Sequence, residues 1–474
     1  MSYAIYVGKN LTDTGVGYLA GYGDEPSSHW LELIPEAKHP PDSTITVGTT
    51  AAADMPGCLS DIPQVPETAR HLRVSYSYYK GTPAPLTNGG LNEHGVAVRD
   101  VWSPSRPELI AMTPKDQKGL NYSDLCKIVL ERARTAREGV ELIGELTATH
   151  GDVTYGGNSH LIADAEEAWV VIEFAGGRGL WAAERLGADS VRVSRPGYIG
   201  EMPFDGDDGR NFLCSANFFS FAMEQGWYDP AGGMPFNANL VYGDGKLRWK
   251  GVSWVEEELR GLGARSEKVG LHDIIGFLRT PRLTGDTAGY GQIVPLVKES
   301  DADLRMMWHA HVGAVAAPFV PVFLGIENVP AEFRKHRYLS DGEAARFVDG
   351  RNPDQISPVP RGVEAARSAT EVFKRLLYLS LEHPDSFLEE VQAAWAAHES
   401  TLALKVADTV ELGQLALFAA KRELLRRHLT RFVHGELLRA LDMAAALASS
   451  IDIRRQMRFG ITTDIPPKGP EQIW

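Results

Sequence analysis

Ser2-Tyr3-Ala4-Ile5-Tyr6-Val7-Gly8-Lys9 opens the chain as a short apolar run closed by a glycine. If Met1 is removed, Ser2 carries a hydroxyl and a free α-amine on one residue. An α-amine has an ordinary pKa of ~7.7–8.0, so much of it is a base at neutral pH. A hydroxyl beside its own amine is the N-terminal form of an activated nucleophile. A serine at position 2 is common and alone identifies nothing. Its meaning depends on the rest of the chain.

The first third of the chain is β-rich. Gly15 to Gly23 is glycine-laden, and Thr44-Ile45-Thr46-Val47 alternates as a strand does. Asn92-Glu93-His94-Gly95 reads as a turn before the short strand Val96-Ala97-Val98. One helix is expected from Tyr122 to His150. Asn121 would be its N-cap, Gly151 would follow its C-cap, and Leu125, Val129, Ala133, Ala136, Val140 and Ile143 form one apolar face. Ser159 to Ala163 and Ala168 to Ile172 are apolar strands joined by the tight turn Asp164 to Glu167, with a third strand at Ser190 to Ser194. The prolines of Pro318-Phe319-Val320-Pro321-Val322-Phe323 suit an edge or a wall.

After about Pro360 glycine and proline become scarce, and Ser368 to Glu399 and Glu411 to Ser449 carry helical periodicity. The expected division is a main unit over 1–360, a helical region over 361–460 and an irregular tail over 461–474. Hairpin strands, a long helix and further strands imply an α+β fold of antiparallel sheets with helices on their outer faces.

Composition excludes several classes. The 474 residues include 43% hydrophobic and 23% charged, as in a globular protein, and a chain of this length needs no disulfide staples. Three scattered cysteines, with no CxxC pair, disfavour a cysteine zinc site and suit a reducing, cytoplasmic setting. No signal peptide and no run of 18 apolar residues is visible. The net charge of -14, from 48 basic and 62 acidic residues, disfavours nucleic acid or an anionic membrane as partner.

These landmarks resemble the dipeptidase-A-like (secernin-related) peptidases, which are N-terminal nucleophile hydrolases. The resemblance is carried by Val7-Gly8-Lys9, Gly90-Leu91-Asn92-Glu93-His94-Gly95-Val96-Ala97 and Glu131-Arg132-Ala133-Arg134-Thr135-Ala136-Arg137-Glu138. It continues through Ser159-His160-Leu161-Ile162-Ala163-Asp164, Glu167-Ala168-Trp169 and Val320-Pro321-Val322-Phe323. It implies a four-layer αββα sandwich with a helical C-terminal extension. It further implies an N-terminal residue that attacks an amide, mainly in dipeptides, without a cofactor or metal.

Three positions depart from the family pattern. Ser2 stands where the family usually has Cys. Gly21-Tyr22-Gly23-Asp24 stands where it tends to have Arg-Asn-Glu-Asp, so Asp24 is kept and the arginine is not. Arg195 falls near a family Asn. An arginine lowers a thiol's pKa but gives a serine no such help, so losing Cys and Arg together is chemically coherent. Replacing both, as Ser2→Cys with Gly21→Arg, is therefore expected to outperform Ser2→Cys alone if the arginine fits.

The site residues expected are Ser2 as nucleophile, Asp24 within hydrogen-bond reach of residue 2, and Asn92, His94 and Arg195 as substrate-side or oxyanion candidates. A dipeptide or other small molecule is the expected partner, and a homo-oligomer is compatible with the sequence. The alternative reading is a repurposed enzyme that transfers or cyclises an amino-acid conjugate through acyl-Ser2, or a non-catalytic scaffold. Trp308-His309-Ala310-His311 has metal-ligand spacing on a strand, but no third ligand is evident, and packed histidines are expected. Gly156-Gly157-Asn158 reads as a backbone turn whose amides could face a substrate. Asp205 to Asp208, with Glu201, reads as a solvated loop.

Overall fold

The structure is a computed structural model that describes residues 2–25, 27–77, 82, 85–195, 198–204, 209–246, 249–298, 301–334 and 367–461. The acidic loop at 205–208, the proposed boundary at 360 and the tail beyond 461 lie outside the described residues.

Two antiparallel sheets are stacked face to face. The first has six strands in the order Val191–Ser194, Tyr3–Val7, Gly17–Tyr22, Gly291–Leu296, Met306–Ala310 and Val320–Phe323. The second has eight, in the order Phe212–Cys214, Trp181–Leu186, Ala168–Glu173, Asn158–Ala163, Ala97–Trp102, Leu86–Asn92, His71–Tyr76 and His29–Ile34. Ala97–Trp102 lies against both Tyr3–Val7 and Gly17–Tyr22, which brings the middles of the two sheets together.

Alternation along the second sheet explains its two cores. Ala97, Val101, Leu161, Ala163, Val170 and Ile172 face the first sheet. Val98, Ile162, Trp169 and Val171 face the opposite way, onto the helices Tyr122–Arg132 and Ala136–His150. On the outer side of the first sheet lie Lys250–Gly263, Leu271–Arg279 and the long C-terminal helices. The order helix, sheet, sheet, helix is the expected αββα sandwich.

Some boundaries differ from the sequence reading. The helix expected over Tyr122 to His150 is two helices. Ala133 leaves the helical conformation, and the Asn92 side-chain amide donates to the carbonyls of Leu130 (3.1 Å) and Ala133 (2.7 Å). Thr135 then caps the second helix by accepting from the Glu138 N–H. Asn121 does cap the first, in a capping box with Asp124. The strand expected at Ser190 to Ser194 is Val191–Ser194, and it pairs with Tyr3–Val7 in the first sheet.

The C-terminal region is three helices, Ala369–Glu382, Pro384–Phe418 and Arg422–Phe459. Its first break falls at Pro384, which begins a helix because its missing N–H is not needed there. Val320–Phe323 is an edge strand, as its proline required. The helical layer is fastened to the sandwich by charge. Asp303, wholly buried, receives Arg70 (2.8 Å), Arg422 (2.6 Å) and Arg426 (3.1 Å), which hold its carboxyl below the usual range although burial alone would raise it.

Candidate active site

Tyr3 pairs with Tyr22, and Tyr22 pairs with Gly291, so Ser2 stands one residue beyond the last paired residues at one end of the first sheet. The chain turns there through Gly23, whose N–H donates to the Tyr290 carbonyl (3.2 Å) and whose carbonyl accepts from Gly289 (2.8 Å). The Asp24 backbone N–H donates to Ser2 Oγ at 3.1 Å. The Asp24 carboxylate accepts the Thr287 hydroxyl. From the neighbouring strand, Arg195 Nη1 donates to the Ser2 carbonyl oxygen at 3.0 Å. The Arg195 guanidinium lies 4.8 Å from the Trp249 ring centre and 6.0 Å from that of Trp102. The two indoles are 6.1 Å apart. Two residues distant in sequence, Asp24 and Arg195, thus fix one serine, and Arg195 in turn lies against an aromatic pair.

Asn92 and His94 are not part of this arrangement. They sit at the turn that begins the Ala97–Trp102 strand, whereas Trp102 at its far end reaches Arg195. Asn92 Oδ1 accepts the N–H groups of His94 and Val96, and its amide ties down the helix break described above. It is a structural residue of the turn. His94 lines a separate surface hollow of about 620 Å³ with Glu36, Lys38, Glu93, Glu131 and Arg134. The Gly156–Gly157 amides both donate to the Thr154 hydroxyl, as a backbone turn would. His309 and His311 are buried and hydrogen-bond to each other (3.1 Å), and His311 also to Thr370 (3.1 Å). Burial pushes the pKa values of both below the ordinary histidine value. Among the described residues no group of three or more His, Cys, Asp or Glu could hold a metal ion.

Two groups on the inter-sheet side of Ser2 escaped the sequence reading. Arg99 is wholly buried, and none of its guanidinium nitrogens has a hydrogen-bond partner among the described residues. Its Cγ crosses Gly21, where a Cβ would lie 2.8 Å from it and 2.8 Å from the Tyr3 carbonyl oxygen. Its head lies 4.4 Å from the centre of the Tyr290 ring. A cationic side chain from the opposite sheet therefore passes over position 21. Glu25 is also buried, with Oε2 unpartnered and 3.8 Å from His29 Nε2. Burial raises its pKa to about 7, against the pull of Arg99. One signal was available for Arg99: in a strand that begins Val96-Ala97-Val98, residue 99 shares the face of Ala97. Nothing comparable marked Glu25.

On the helix side of the second sheet lies another buried polar group. Burial opposes a charge on His160, but Glu173 at 2.8 Å and Cys126 lift its pKa well above the ordinary value. Burial raises Asp152 to about 7, helped by Glu173. An acid raised in the folded state favours folding fully below its unfolded pKa of ~3.9, and that contribution is lost as pH rises to about 7. Asp152→Asn should therefore leave stability near pH 4 almost unchanged and raise it near pH 8, by on the order of 2 kcal/mol. Urea titrations at the two pH values check this; equal effects at both would refute it.

Comparison with known proteins agrees with the landmarks. Residues 67–250 match the model of Peptidase family C69. The chain is 36% identical over 147 residues to a probable dipeptidase B of Lactococcus lactis, covering 29% of this chain and 30% of that protein. It is 30% identical over 173 residues to a probable dipeptidase of Salmonella dublin, covering 36% and 38%. The matches span 30% and 38% of these relatives' length, and the family match begins after Ser2 and Asp24. A mutant conjugated bile acid hydrolase from Clostridium perfringens aligns with 66% of this chain and 89% of its own, at 11% identity and a TM-score of 0.32. Residues 67–250 are thus similar to Peptidase family C69, and about a third of the chain is similar to probable dipeptidases.

Proposed function

We propose that the protein hydrolyses a peptide or related amide bond, with dipeptides as the substrate class and Ser2, exposed by loss of Met1, as nucleophile. The observation that carries this reading is the hold on Ser2. Its hydroxyl is fixed by the Asp24 N–H and its carbonyl by Arg195, at a sheet end where Arg195 lies against two indoles. The peptidase family match and the dipeptidase names of the relatives support it.

The chemistry follows from these groups. Ser2 Oγ attacks the amide carbon while its proton passes to the α-amine. The charge that develops on the carbonyl oxygen needs donors already in place, and the Arg195 guanidinium is a cation held directly against Ser2. The ammonium returns the proton to the leaving nitrogen, the C–N bond breaks and acyl-Ser2 remains. Water then attacks the ester, with the amine again the base, and releases the acid.

Turnover of a dipeptide panel, with free amino acids as the readout and intact mass to verify loss of Met1, tests the reading. Release of amino acids is expected. A chain that begins at Ser2 and cleaves none of the panel would count against it.

A further inference from the structure

The strand register places more than Asp24 at Ser2. Ala4 pairs with Gly21, so Ser2 and Gly23, one step further along both strands, share the face of Ala4 and Gly21. That face looks between the sheets, because Arg99 from the second sheet crosses Gly21. The Glu25 carboxylate is folded back onto the same face. A Cβ at Gly23 would fall on its Oε1, and a Cβ at Gly289 on its Oε2. The two glycines, bonded to each other through Gly289 N and Gly23 O (2.8 Å), form a cradle that only the absence of side chains permits. A buried carboxylate with an unpartnered oxygen, and a buried guanidinium with none of its nitrogens hydrogen-bonded, are costly to maintain. Both lie at the end of the sheet where Ser2 is held.

We propose that Glu25 is a positioning residue of the Ser2 centre: set by the Gly23–Gly289 cradle and the field of Arg99, its carboxylate holds the Ser2 α-amine and governs that amine's protonation. The proposal rests on the reading of Ser2 as nucleophile. The other groups around Glu25 are Asp24 beside it, His29 at the start of its strand, and Tyr22, Tyr76 and Tyr290. Burial keeps His29 neutral, with a pKa pushed down to about 3, and keeps the three tyrosines protonated well above their ordinary range. Lys374, which acts on His29, is pushed by burial down to about 8, so near neutral pH the charges that change around this face are those of Glu25, the amine and Lys374.

Two interacting groups titrate as a pair. In the wild type the acid limb of log kcat/KM against pH should approach a slope of about two. Glu25→Gln, nearly the same shape, should reduce the slope to about one, move the limb to lower pH because the ammonium has lost a neighbouring carboxylate, and lower kcat roughly tenfold. Arg99→Met should move the limb to higher pH, since the guanidinium favours the ionised carboxyl. Gly289→Ala, which displaces the carboxylate without touching Ser2, should reproduce the Glu25→Gln profile. A residue needed only for folding would change thermal melting and leave the limb in place.

Turnover that depends on Ser2, with a limb unchanged by Glu25→Gln and Gly289→Ala, overturns the Glu25 proposal alone. Retention of Met1, or full activity in Ser2→Ala, overturns the Ser2 reading and this proposal with it. If a processed chain cleaves none of the panel, the Ser2 amine is titrated by NMR in 15N-serine-labelled protein. A lower amine pKa in Glu25→Gln sustains the proposal, and an unchanged one ends it.

Discussion

Ser2→Ala is expected to abolish amide turnover, by at least ~10³-fold in kcat/KM, while leaving the fold unchanged. The substitution removes the hydroxyl that accepts the Asp24 N–H and nothing else of size. The amine, the Arg195 contact to the Ser2 carbonyl and the surrounding sheet all persist. Ser2→Cys restores a more nucleophilic atom and should stay within about tenfold of wild type or exceed it. Steady-state kinetics on a cleaved dipeptide, with thermal melts of each variant, give the comparison. Residual turnover in Ser2→Ala close to wild type would place the chemistry elsewhere.

The second large effect concerns position 21. On chemical grounds an arginine there should help a cysteine at position 2, and the structure reverses that expectation. Gly21 lies in a buried antiparallel strand one residue from its end, paired with Ala4 on one side and Gln292 on the other. A Cβ would press on the Tyr3 carbonyl oxygen, which cannot yield as a side chain can, and on Arg99 Cγ. Gly21→Arg adds a long side chain and a second buried positive charge beside Arg99. Overpacking and an uncompensated buried charge together cost about 4 kcal/mol or more, a large share of the stability of a typical domain. Gly21→Arg should therefore yield little folded protein, alone or with Ser2→Cys. Chemical denaturation of whatever soluble material is recovered measures it. A folded variant of wild-type stability would show that Arg99 can leave its place over Gly21.

The layers were legible because they rest on local signals. Hairpin turns, alternation and the Asn121 cap lie within a few residues of the elements they define, and Val320-Pro321-Val322-Phe323 announced its edge position through one residue. Helix breaks were less legible. The interruption after Arg132 depends on Asn92, 41 residues from the Ala133 carbonyl it binds, and such a contact has no trace in periodicity.

The candidate site divides in the same way. Ser2 was visible from its place after Met1, and Asp24 through the resemblance. Arg195 likewise was visible only through the resemblance. Asn92 and His94 were misleading. They form a well-marked turn, but alternation along Ala97–Trp102 sets that turn at one end of the strand and Trp102, near Arg195, at the other. Arg99 and Glu25 were missed because their importance lies in the stacking of two sheets. The first crosses a glycine on the facing strand, and the second folds back onto two glycines far apart in the chain.

The most direct test is mass spectrometry of the protein quenched during turnover of a dipeptide. The expected spectrum shows a chain lacking Met1 that carries an aminoacyl ester, located by peptide fragmentation on Ser2. A chain that keeps Met1 while turning over substrate, or an acyl group found on any other residue, would contradict the assignment of Ser2 as the nucleophile.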